Sequence, residues 1–166
     1  MRNSHLAVYL NDHLAGATAA LALLNELEHV DGFEDWASRL KAEIAADRDQ
    51  LRSLMRSLGA PESSIRRAAA WVTEKLAELK TRIDDRSGGA LQRLELIEAL
   101  ALGIDGKRAL WTALQAVAGD DEALDGLQRP DYANLIQRAT DQRHAVEMRR
   151  LQAAASAFTE SKRAVR

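Results

Sequence analysis

The chain has no cysteine. Disulfides, thiolate metal sites and cysteine nucleophiles are thereby excluded, and a reducing compartment, the cytoplasm, is expected. Only two prolines occur, Pro61 and Pro130, and aromatic residues make up 4% of the chain. Strand signals, meaning alternating runs of Val, Ile, Thr and Tyr, are missing as well. Neither sign of charge dominates, because 23 Lys and Arg face 25 Asp and Glu for a net −2. No face is evidently basic, so nucleic acid is not expected as the main partner. The short basic end, Lys162, Arg163 and Arg166, reads as solvated. Long apolar runs are missing too. Residues 14–24 are alanine-rich, too short to span a bilayer, and continue into an amphipathic pattern, so neither a membrane span nor a targeting segment is expected. There is no phosphate loop, dinucleotide fingerprint or His-Glu-x-x-His, and no serine in an elbow context.

What is present is mostly alanine, leucine, arginine and glutamate, the strongest helix formers. At 166 residues the chain has the size of one domain. A chain of that length buries roughly 70% of its unfolded surface. The expectation is an all-α fold, one domain over residues 1–166, built from five helices. The first is placed at residues 4–30 with Ser4 as N-cap, and its stripe is Leu10, Leu14, Ala17, Leu21 and Leu24. A turn at Asp31-Gly32 leads to the second, at 33–58, striped by Phe33, Trp36, Leu40, Ile44, Leu51, Leu54 and Leu58 and closed by Gly59 and Pro61. An additional, shorter helix is placed at 62–83, followed by a polar loop at 84–89. The fourth, at 90–118, is apolar nearly all round between Leu91 and Ile104 and is expected to be the most buried. After a loop at 119–128, the fifth is placed at 130–160 with Pro130 in its first turn.

Function in a bundle is usually built from inward-facing polar side chains. Asp47 interrupts the second helix's stripe between Ile44 and Leu51, as either a metal ligand or acid/base, or a carboxylate paired with an arginine or a neighbouring helix. Glu98, with Glu95 beside it, lies on the face made by Leu91, Leu94, Ala101 and Leu102, able to hold a metal or to pair with Lys107 or arginines. His144 aligns with Met148, Leu151, Ala155 and Phe158, and Asp141 stands three residues earlier on the same side. That spacing suits metal coordination and equally a hydrogen bond that fixes a buried histidine. His13 sits at the edge of the first stripe. Trp36, Trp71 and Trp111 read as core.

The order of long helix, tight turn, long helix, crossover and a second pair of long helices resembles the ferritin-like superfamily. With the hairpin end Leu54-Met55-Arg56-Ser57-Leu58-Gly59 followed by a separate helix, it is similar to the bacterial stress-associated ferritin-like bundles of the YciF type. The resemblance implies an antiparallel four-helix bundle with an extra helix in the crossover, and a di-iron or di-manganese carboxylate centre. Such centres need a glutamate from two helices and Glu-x-x-His from the other two. Here Glu98 matches one glutamate and Asp141-x-x-His144 one motif. The other motif falls on Ile44-x-x-Asp47, and only His13 stands near the remaining glutamate position. Asp47, Glu98, Asp141 and His144 are thus the candidate ligands for iron or manganese, fewer than a two-metal centre uses. The expected function is therefore a non-catalytic ferritin-like bundle acting by self-association, as a dimer, or through a protein partner. The alternative is a metal-binding protein using those four residues. A DinB-like three-histidine site is disfavoured, since His29 lies about 24 Å along the helix from His13 at 1.5 Å per residue.

Overall fold

Strong helix formers with few internal breakers give long helices, and the chain's computed structural model, which describes residues 2–60, 89–118 and 130–160, consists of them. They are α1 (Arg2–Leu27), α2 (Glu34–Ser57), α3 (Ala90–Val117) and α4 (Tyr132–Glu160). No strand occurs among the described residues. None of their helices is long and apolar enough to cross a membrane. The all-α expectation holds, while the additional helix at 62–83 and the loop at 119–128 lie outside the described residues.

The helix ends are set by local chemistry. α1 already starts at Arg2, so Ser4 lies inside it rather than capping it. Gly32 adopts φ 81° in the turn to α2, a left-handed conformation that glycine enters without a side-chain clash. α2 closes in a Schellman motif around Gly59 at φ 64°. There the Ala60 N–H donates to the Met55 carbonyl at 2.9 Å and the Gly59 N–H to Arg56 at 3.1 Å. At α4 the cap is Asp131, one residue past the proline expected to open the helix. Its Oδ1 accepts the Asn134 N–H at 3.0 Å, satisfying one of the orphan donors of the first turn.

Two apolar clusters reveal the bundle's order. One joins Leu24 and Leu27 of α1, Trp36 and Leu40 of α2, Leu94 and Ile97 of α3, and Val146 and Ala153 of α4. The other joins Leu10 of α1, Leu54 of α2, Trp111 and Leu114 of α3, and Leu135 of α4. Each cluster thus takes opposite ends of α1 and α2, and opposite ends of α3 and α4. So α1 and α4 run one way and α2 and α3 the other. The end of α2 and the start of α3 lie at opposite ends of the bundle, a connection of the crossover type.

Most residues of the stripes expected on α1 and α2 are buried, with Leu10, Leu14, Leu24, Trp36, Leu40, Ile44, Leu51 and Leu54 in the core and Ala17, Leu21, Phe33 and Leu58 half-buried. On α4 the expected stripe is the wrong face. Met148, Leu151 and Phe158 are exposed, and the buried side reads Leu135, Ala139, Gln142, Val146, Ala153 and Ala157 in steps of three, four and seven. Two positions are about 200° of helical rotation, so a phase error of two residues selects nearly the opposite side. α3 buries Leu94, Ile97, Leu100 and Ile104, yet Leu91 and Leu102 face outward.

Two caps give a direct check. Asp131→Ala should lower the unfolding free energy by about 1 kcal/mol through loss of the cap bond. Gly59→Ala should cost about 1–2 kcal/mol, because a Cβ is strained at positive φ. Chemical denaturation of each variant measures both losses. An unchanged midpoint in either would refute the corresponding cap.

Candidate functional site

Between the two apolar clusters lies one polar layer. Asp47 stands one helical turn from both Ile44 and Leu51, which places it on the inward stripe of α2, and it is 2% exposed. A carboxylate there is costly unless charge and hydrogen bonds answer it. Lys107 of α3 donates from Nζ to Asp47 Oδ2 at 2.5 Å and also to Oε1 of Gln142 on α4. Gln142 Nε2 in turn donates to Glu43 at 3.0 Å and lies 3.4 Å from Asp47 Oδ2. These partners fix the orientation of the Gln142 amide. On the other oxygen, an Arg138 guanidinium nitrogen lies 2.9 Å from Oδ1. The approach is an ion pair whose N–H is not aligned, so Oδ1 receives charge without a hydrogen bond. The layer is neutral as a whole, with Asp47 and Glu43 against Lys107 and Arg138. Burial pushes the Lys107 pKa down, and the attraction of Asp47 opposes that shift.

The four candidate ligands do not come together. Asp47 is committed to Lys107 and Arg138. Glu98 is exposed and faces Arg150 at 3.4 Å. Asp141 is exposed and accepts from Gln137 of its own helix at 2.9 Å. His144 lies on the same solvent-facing side of α4. Among the described residues no group of three or more His, Cys, Asp or Glu is placed to hold a metal. The physical reason is the phase of α4, since its inward polar residue is Gln142, not His144. Of the alternatives open for Asp47, the paired carboxylate is the one observed. Lys107 belongs to this pair rather than to Glu95 or Glu98. Its position, three residues after Ile104 and four before Trp111, was the available signal.

Beside the layer is a pocket of about 160 Å³ walled by α1, α2 and α3. Asp47 and Lys107 lie at its polar side, and Ile44, Leu110 and Trp111 supply apolar wall. α1 lines it with Asp12 and His13 and with the small residues Gly16, Ala17 and Ala20. The Trp111 indole is 1% exposed, and its Nε1 is buried without an acceptor. His13 packs edge-on against Tyr9 at 4.6 Å, and burial lowers its pKa below the ordinary 6.5, with Asp12 opposing.

The outer side of α3 and α4 is different in kind. Arg143 bridges Asp105 at 3.1 Å and Glu147 at 2.9 Å, and Arg150 bridges Glu147 at 2.6 Å and Glu98 at 3.4 Å. Paired arginines hold the Glu147 carboxyl down to about 2. The same two helices carry exposed large apolar side chains, Leu91 and Leu102 of α3 and Met148, Leu151 and Phe158 of α4.

No family model, curated protein or solved structure matches this chain.

The layer makes two predictions. Lys107→Met should cost about 3 kcal/mol, since it leaves Asp47 buried with only a misaligned arginine, whereas Asp47→Leu with Lys107→Met should cost less than either single change. Additive losses in that cycle would disprove the coupling. His13 adds an acid-side slope. Its folded pKa lies below the unfolded 6.5, so the unfolded chain takes up this proton first as pH falls. Stability from this group is full above 6.5 and is lost progressively below it. His13→Gln should flatten the decline seen in denaturant midpoints on the acid side of 6.5. A slope that persists in the variant would rule this out.

Proposed function

We propose that this protein is a non-enzymatic, ferritin-like bundle that acts by self-association through the outer side of α3 and α4. The observation behind this reading is the exposed apolar set on α3 and α4, in which Leu102 is 74% and Phe158 62% exposed. Monomers rarely leave several large apolar side chains together in water, and burying such a residue stabilises by about 1.5–3 kcal/mol. Leu91 and Leu102 share one side of α3 with Glu98 and Asp105 by helical spacing, and both carboxylates pair with α4. On α4, Leu151 and Phe158 lie nearer than Met148 to that seam by helical spacing. That seam holds acids and arginines alike, so a second copy rotated by a two-fold axis meets both signs of charge and no net repulsion. The ferritin-like part of the reading is supported by the helix directions, with a crossover between α2 and α3. Residence in the cytoplasm belongs to the same reading, in keeping with a chain without cysteine.

The test is oligomeric state. Light scattering across a wide concentration range should give a dimer for the parent protein. Leu102→Glu combined with Leu151→Glu should give a folded monomer with the parent's circular dichroism. A parent that stays monomeric throughout, or a variant that remains dimeric, would sink this reading.

A further inference from the structure

We draw no further inference here: the strongest candidate, the pocket between α1, α2 and α3 beside Asp47 and Lys107, is partly open, with Gly16 and Gly103 of its small-residue lining exposed, and nothing in the structure shows what fills it.

Discussion

The ion pair between Asp47 and Lys107 is the constraint around which the bundle is arranged. Two charges taken out of water lose several kcal/mol each of hydration, and only good geometry with further hydrogen bonds offsets the loss. The pair has both. Lys107 reaches Asp47 at 2.5 Å and Gln142 as well, while Gln142 continues to Glu43. This commits α2, α3 and α4 to one axial register. Sliding any of these helices by one turn, about 5.4 Å, would set a charged group against a leucine layer. Apolar contacts tolerate such slips far better than a buried carboxylate does. The layer therefore specifies the arrangement more than it stabilises it.

The same layer explains where the pocket lies. Three of the four helices send a long polar side chain to this level. The fourth, α1, lines the pocket with Asp12 and His13 and otherwise with Gly16, Ala17 and Ala20. The small size of those three leaves space beside Asp47 and Lys107. It is not a packing defect of the apolar clusters, which close above and below it with Leu10, Leu14 and Leu24 of the same helix fully buried.

Much of this architecture was legible from spacing alone. α1 and α2 each show one stripe of large apolar residues against a charged face, so their buried sides could be read directly. Asp47 was visible because a carboxylate between Ile44 and Leu51 breaks such a stripe. Its partner left a weaker signal, the spacing of Lys107 from Ile104 and Trp111. Lys107 lies among glycines and small residues, where a lysine looks like any solvated surface cation. Gln142 was hidden for another reason, since the inward side of α4 is built from Ala139, Val146, Ala153 and Ala157. These are small beside Met148, Leu151 and Phe158. A reading weighted by side-chain size therefore took the outer stripe for the core and carried His144 and Asp141 inward with it. With that phase error removed, the four-residue ligand set loses its geometric basis.

The ambiguity of α4 has a physical meaning. A helix that packs on one side only has a single apolar stripe and an unambiguous phase. α4 has two, about 200° apart by two residues of offset. The inner stripe begins with Tyr132 and Leu135 and past the polar layer is made of the smaller Val146, Ala153 and Ala157. The outer stripe is made of large residues, which a close approach inside the bundle has no space to accept. α3 repeats the division, with Leu94, Ile97 and Ile104 inward and Leu91 and Leu102 outward. These two helices are also the ones joined by the ion pairs Arg143–Asp105 and Arg150–Glu98. An outer stripe of large apolar side chains is the feature on which the proposal of self-association rests.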